Sequence, residues 1–436
     1  DAIEPDTVSE INNALAINPN LDFIYTDEDK LNFDGENVEK NYKPDFSHDH
    51  LRSVMYIMHL IIIERNFFNK LGGFRPEYNG AQDYDLALRA TSKTKNIHHI
   101  KKILYHWRMI PGSAAEVVDA KPWALENAKR ALDDALKNDN VPGYCVDGLL
   151  PGTFRAKYPI PENTEVTLVI FTNGSSRQFN DGKNINLVLN FVESIKNKSS
   201  YKNYFINIIS NSNLDQELLN NLSALGCNVF DYTYSGEFSF ANKFNYSLGT
   251  VKTNDVIFLN DDLEVISSDW IESLVEFSRQ ERVGAVGAKL FFEGGNIQHA
   301  GMVLGVTGHV GHIFYDNSSE QPGYQAYTHL IRNYSCVTGA VLATRMDLIK
   351  KVGGFDENLK IDFNDVDFCL KLREHGYDIV FTPYANLYHF ERSTAKRDVS
   401  NDEDAKTFMK KWASKLVSDP FYSPSLPLNP TQLTGI

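Results

Sequence analysis

The sequence predicts an α/β protein built on a mostly parallel sheet, and three observations carry that reading. Short apolar runs alternate with helical stretches from residue 165 to residue 290. One run, Ile257–Glu264 (IFLNDDLE), stops abruptly in an amide and two carboxylates. A block at residues 71–106 recurs at residues 352–389. Alternating strands and helices cover a parallel sheet on both faces and leave ligands to the carboxyl ends of the strands. The acidic tip lies at such an end.

Taken in order, Lys121–Asn138 places Trp123, Ala128, Leu132 and Leu136 on one face of an amphipathic helix. Residues 141–163 hold Pro142, Pro151, Pro159 and Pro161 with Gly143, Gly148 and Gly152, which reads as a linker. Beyond it, Glu165–Thr172 is a strand, Ile185–Lys196 a helix with Leu189, Val192 and Ile195 on its apolar side, and Tyr204–Ser210 a second strand. A helix near Leu214–Leu225, a strand at Cys227–Tyr232, a helix over Ser239–Gly249 and the strand Asp255–Leu259 follow. After the acidic tip come a helix at Trp270–Gln280, strands at Gly284–Phe292 and Ser335–Thr344, and helices at Asp347–Val352 and Asp365–His375. Phe408, Trp412 and Leu416, spaced by four, close the series as a helix whose aromatics pack on the sheet.

The repeat is domain-sized. Gly72 and Gly353 are offset by 281 residues, Asp83 and Asp365 by 282, and His106 and His389 by 283. So slow a drift indicates two copies of one fold, and the period is far longer than that of a solenoid. The copies are unequal, because about a hundred residues precede the acidic tip in the second and have no counterpart in the first. Residues 1–140 therefore read as a partial domain, 141–163 as a linker and 164–436 as a complete domain with a C-terminal helix and tail. The first copy begins where Asp262 and its followers would fall, as either a cut through a longer domain or a remnant that holds an acceptor. Its sheet edge is expected to be exposed, a liability for stability.

Composition narrows the function. With 42% hydrophobic residues, a chain of 436 can bury sizeable cores. A formal charge of -14 argues against a general nucleic-acid binder, whose footprint is a basic face. No apolar run reaches the roughly 18 residues that span a bilayer, and no leader opens the sequence, so a cytoplasmic location is expected. Cys145, Cys227, Cys336 and Cys369 stand far apart without a CxxC spacing, which suggests neither zinc nor disulfides.

Carboxylates at the tip of a buried strand form a fixed anionic pocket that suits a hard divalent cation and, through it, phosphate oxygens. Asn-Asp-Asp also makes good turns, and the residues around it decide. IFLNDDLEV, VGAVGAKLFFEGGNIQHAGMVLG (283–305), NYSCVTGAVLATR (333–345), GGFDENLKIDFNDVDFCLKLREHGYDIVFTPYANLYH (353–389) and DPFYSPSLPLN (419–429) together resemble a family 2 glycosyltransferase of the GT-A fold. DFIYTDEDKL (22–31), NYKPDFS (41–47), GGF (72–74), QDYDLALR (82–89) and LYHWR (104–108) resemble the acceptor-side half of the same fold. Tandem chains of this kind resemble bacterial enzymes that build surface polysaccharides such as O-antigens.

The resemblance implies inverting transfer of a sugar from a nucleoside-diphosphate sugar to a glycan or lipid-linked glycan, with Mn or Mg as cofactor. It leaves room for peripheral association with the inner membrane or with a biosynthetic complex. Asp262 and His389 match the metal ligands, Asp261 faces the donor sugar or ribose, and Asn260 replaces the first Asp of the DxD pattern. Asp365 matches the general base, worth roughly a hundred- to ten-thousand-fold in rate, although its place at a helix start also suits an N-cap. Thr172, Asn173, Asn211 and Asn245 fall on the nucleotide side. Ser210-Asn211 stands where the family reads the base with an Asp. His299, Gly339, Asn364 and Asp367 fall on the acceptor side, Asp367 being equally a cap, and His309 and His312 read as acceptor contacts or packing residues. Asp83 and His106 repeat the base and the distal histidine. Two other classes compete: a glycan-binding or scaffolding module whose donor site has decayed at Asn260 and Ser210, and a nucleotidyltransferase. The latter lacks support because no glycine-rich, basic loop follows the first strand.

Overall fold

A computed structural model describes residues 1–110, 122–179, 182–234, 236–390 and 402–429. Lys121 of the predicted closing helix and residues 430–436 of the tail lie outside that set.

The N-terminal sheet is built from β1 (Ala2–Ile3), β2 (Phe23–Leu31), β3 (Asn37–Asn41), β4 (Ile61–Ile63) and β5 (Ile97–Arg108). Its helices are α1 (Thr7–Ile17), α2 (His48–Leu51), α3 (Arg65–Lys70), α4 (Gln82–Lys93) and α5 (Pro122–Asn138). β2 runs parallel to β5 and antiparallel to β4, while β1 closes on β5. Phe23, Tyr25, Tyr84, Ala87 and Leu132 form the core beneath it.

Residues 141–163, expected as a linker, carry the hairpin β6 (Tyr144–Asp147) and β7 (Phe154–Lys157). Phe154 and Ala156 are buried, and Arg155 donates to Glu276 at 2.9 Å. The prolines and glycines shape turns of an ordered connection.

The larger sheet contains β8 (Val166–Phe171), β11 (Tyr204–Ser210), β12 (Cys227–Asp231), β13 (Asp255–Asn260), β14 (Leu263–Val265), β15 (Val283–Phe291), β19 (Arg332–Tyr334), β20 (Val341–Arg345) and β21 (Asp378–His389). β9 (Ser176–Gln178) pairs with β10 (Asn184–Asn186), β16 (Ile297–His299) edges β15, and β17 (Met302–Leu304) pairs with β18 (Val310–His312). The helices are α6 (Leu187–Lys198), α7 (Gln216–Ala224), α8 (Phe240–Leu248), α9 (Trp270–Ser278), α10 (Met346–Lys351), α11 (Asn364–Glu374) and α12 (Asp402–Trp412). The strand order is β12-β11-β8-β13-β20-β15-β21-β14. β12, β11, β8 and β13 are parallel, and so are β15 and β21, but β20 is antiparallel to both its neighbours. The sheet is thus mixed. Ile185 falls in β10 and not in α6, and of the predicted strand Ser335–Thr344 only its last part belongs to a strand, β20, while β19 precedes it and pairs with a different partner.

Every side chain of β8 is buried, as a strand covered on both faces requires. Phe191, Ile195, Trp270 and Leu274 cover one face of the sheet; Phe244, Phe258, Phe355 and Phe368 cover the other. The order β1-α1-β2-β4-α3-α4-β5 recurs as β14-α9-β15-β20-α10-α11-β21, with the same parallel and antiparallel pairings. The two sheets meet at Asp49, which receives Arg282 Nη1 at 2.8 Å and Asn333 Nδ2 at 2.7 Å. No helix among the described residues is long and apolar enough to cross a membrane.

Candidate active site

β13 delivers the acidic tip, and strand pairing brings the distal histidine to it. Leu263 of β14 pairs with His389 of β21, and the Phe390 amide donates to the Asp262 carbonyl at 2.8 Å. His389 Nε2 consequently lies 3.3 Å from Asp262 Oδ1 and 3.4 Å from Asn260 Nδ2. A protonated Nε2 donates to the carboxylate and an unprotonated one accepts from the amide, so the ring keeps a partner in either state.

Beside this pair, Asp261 accepts a 2.6 Å hydrogen bond from the Thr172 hydroxyl at the end of β8. Burial, and then the charge of Asp262, push the Asp261 carboxyl up to about 6, against the Thr172 hydrogen bond and Lys243. Lys243 is buried and donates to the Thr172 carbonyl at 2.9 Å; burial pulls its ammonium down to about 8, although Asp261 opposes the shift.

Asp365 reaches the same cleft from the first turn of α11. Phe363, at φ 63°, turns the chain into the helix in a left-handed conformation, and its ring stacks on Phe408 at 4.6 Å. Asp404 of α12 holds the preceding loop by accepting the amides of Lys360, Ile361 and Asp362 at 3.1, 2.8 and 2.9 Å. Asp365 Oδ2 accepts the Gly339 amide at 2.7 Å and Oδ1 the Val366 amide at 2.8 Å. Burial raises its pKa in spite of those amides. A Cβ at Gly339 would stand 3.1 Å from the Asp365 Cβ, so a side chain there would press on the carboxylate.

Thr172, Asn173, Asn211, Asn260, Asp261, Asp262, Gly339, Asn364, Asp365 and His389 all line one cavity of about 590 Å³. Three sequence candidates lie elsewhere. Asn245 clamps the chain at Phe355, accepting its amide and donating to its carbonyl, both at 2.9 Å. His299 is fully buried behind His312, their Nδ1 atoms 3.0 Å apart, and it is His312 that lines the cavity. Asp367 is also fully buried and accepts Trp412 Nε1 at 2.9 Å, which fixes the C-terminal helix; it is neither a cap contact nor a cleft residue. In each case a polar side chain in a suggestive position serves a distant backbone or ring. Ser210, which stands where the resemblance expects a base-reading Asp, donates at 2.6 Å to Asp231, so a carboxylate stands one strand over.

Lys243 and Asp404 were not singled out by the sequence. Lys243 leaves a signal, since it shares the apolar stripe of Phe240, Phe244 and Ser247. Among the described residues no three His, Cys, Asp or Glu side chains group as an all-protein metal site. The carboxylate–imidazole pair of Asp262 and His389 fits a divalent cation whose other ligands are phosphate and water oxygens.

In the N-terminal sheet, the matching His106 is held from both sides, by Asp29 at 2.5 Å and Glu4 at 3.0 Å. Burial alone would lower its pKa, but these carboxylates outweigh it and the pKa is raised. Asp83 Oδ1 accepts the Tyr84 amide at 2.8 Å, as Asp365 accepts that of Val366.

The model of a family described as "Glycosyltransferase like family" matches residues 205–412. An uncharacterized protein of Sinorhizobium fredii, y4gI, is 33% identical over 443 residues, covering 98% of this chain and 48% of its own length. The O-antigen biosynthesis protein RfbC of Myxococcus xanthus is 30% identical over 437 residues, covering 99% of this chain and 33% of its own. The chain therefore spans about half the length of one relative and a third of the other. A crystal structure of GalNAc-T7 with UDP, GalNAc and Mn2+ superposes with a TM-score of 0.44 at 13% identity, over 57% of this chain and 48% of that one. The family match takes in the strand tip and the helix that face each other across the cleft, so it is over residues 205–412 that the chain resembles the glycosyltransferase-like family.

Proposed function

We propose that the cleft at the end of β13 transfers a sugar from a nucleoside diphosphate to a hydroxyl of a glycan acceptor, with inversion. One observation carries this reading: Asp261, Asp262, Asp365 and His389 converge on a single cavity although Asp262 and Asp365 are a hundred residues apart in sequence. Asp262 and His389 would hold a divalent cation, Mn or Mg, which when bound supplies Lewis-acid stabilisation of the departing diphosphate. Thr172 fixes Asp261, and Asn173 and Asn211 line the nucleotide end of the cavity.

Asp365 is the proton acceptor for the attacking hydroxyl. Its carboxylate is oriented by two backbone amides, and burial raises its pKa, which makes it a stronger base than an ordinary aspartate. Attack from the Asp365 side, opposite the diphosphate, inverts the anomeric carbon. Residues 1–140 are a partial second copy of the GT-A fold of residues 164–436. The similarity to the O-antigen biosynthesis protein RfbC favours surface polysaccharide as the product, and the place of work proposed with it is the cytoplasmic face of the inner membrane.

A panel of nucleotide sugars assayed for transfer or hydrolysis, with and without Mn or Mg, tests the proposal. Transfer that needs the metal and disappears in Asp365→Asn supports it. If no nucleoside diphosphate raises the melting temperature in the presence of metal, and Asp262→Ala changes nothing, the reading fails and a binding module takes its place.

A further inference from the structure

A second cavity, about 670 Å³, opens between the carboxyl ends of β2 and β5 and the loop around Gln325 in the C-terminal part of the chain. Its lining combines aromatic faces, Trp107, Tyr56 and Tyr327, with polar groups. His50 lines it at 1% exposure, stacked on Tyr56 at 4.2 Å and edge-on to Tyr327 at 5.4 Å. Neither ring nitrogen of His50 has a hydrogen-bond partner among the described residues. Burial, and then Arg332, hold the ring neutral, so it presents one donor and one acceptor. Buried polar atoms of this kind are nearly always satisfied, and a ligand or ordered water entering the cavity is the obvious source of a partner.

Charge selects the ligand. Glu28, Asp29, Glu39 and Asp83 line the cavity against two lysines, and both lysines are already engaged, Lys43 with Glu28 at 3.3 Å and Lys30 with Glu39 at 2.7 Å. The two ion pairs engage Glu28 and Glu39 as much as the lysines, and carboxylates still outnumber lysines in the lining. Phosphate or carboxylate ligands are therefore disfavoured, whereas hydroxyl groups would find an acceptor in Asp83 and a stacking face in Trp107. Gln325 and Ala326, which form part of the wall, are held at φ 47° and 60°. Strained backbone of this kind clusters at ligand clamps.

We propose that this inter-sheet cavity is a second carbohydrate site, which holds neutral, polyhydroxylated sugar units independently of the Asp262 cleft. Saturation-transfer NMR on the whole chain, with neutral trisaccharides of hexoses and 6-deoxyhexoses and with a trisaccharide of uronic acids as probes, tests it. The neutral probes should show saturation, and Trp107→Ala and Asp83→Asn should each weaken their binding about tenfold, the effect of one lost contact. Asp262→Ala should leave that binding in place. Melting curves verify folding; should Trp107→Ala fail to fold, the isosteric change at half-buried Asp83 still decides. The proposal is overturned if no neutral trisaccharide binds, if only the uronic acid probe binds, or if binding survives both cavity variants and vanishes in Asp262→Ala. Sugar transfer at the other cleft is read separately, by the nucleotide-sugar assay.

Discussion

The two sheets place one arrangement in two surroundings. In the larger sheet β20 is bonded on both edges, by β13 and β15, whereas its counterpart β4 is bonded only by β2 among the described residues. The consequence shows in the matching Gly-Gly-Phe segments. Phe355 is 2% exposed, packed 4.3 Å from Phe244 and 4.7 Å from Phe368, while Phe74 is 57% exposed. The histidines differ too: His389 faces an acid and an amide, and His106 is clamped between two acids. A repeated sequence thus fixes strand order and the direction of key side chains, but the neighbouring strands decide whether the result is a reactive cleft or a braced edge.

The sharpest way to break this contrast is at the base. Asp365→Asn is expected to lower the transfer rate by roughly a hundred- to ten-thousand-fold, while His106→Asn leaves it unchanged, both read by single-turnover assay with a responsive nucleotide sugar. If the two variants lose activity alike, the division of labour between the sheets is wrong.

Packing gives the next largest difference. Phe355→Ala should cost about 3–5 kcal/mol in urea unfolding, and Phe74→Ala about 0.5 kcal/mol or less. Equal losses would mean that Phe74 is covered in solution.

Acidity gives the third. Because the folded Asp261 titrates at about 6 against an ordinary 3.8, its burial costs nothing below both values and its full amount above pH 6. At about 1.4 kcal/mol per unit, that amount is on the order of 2–3 kcal/mol. Asp261→Asn should therefore stabilise the protein at pH 7, lose that advantage by about pH 4, and weaken donor binding in a thermal-shift titration.

The smallest effect concerns the paired histidines. His106→Asn should lower stability by about 1–2 kcal/mol. Since the folded pKa of His106 is raised, that deficit is full below the ordinary histidine pKa and shrinks as pH rises through the raised value. His389→Asn should instead abolish metal-dependent stabilisation by a nucleoside diphosphate. Chemical denaturation at pH 6 and pH 9 separates the two.

Much of this was legible before any coordinates. The repeat, the alternation of elements and the acidic strand end are local patterns, and most of the cleft residues sit where strand ends and helix starts put them. What could not be read is tertiary pairing. Asn245 and Asp367 look like ligand contacts because their true partners, Phe355 and Trp412, lie 110 and 45 positions away in the sequence. The prolines and glycines of residues 141–163 mark turns but do not reveal that Arg155 will anchor their hairpin to Glu276. Lys243 was missed although it left a signal, a cation on a stripe that holds Phe240 and Phe244.

Asp49 has a practical bearing. Its carboxylate is 2% exposed and gathers Arg282 and Asn333 from the opposite sheet. Anyone trimming the chain to its C-terminal portion for crystallography or bioproduction would leave the Asn333 amide without this acceptor and the guanidinium with Asp378 alone, on a face that Asp49 now covers. A boundary drawn at the hairpin would save length and forfeit solubility.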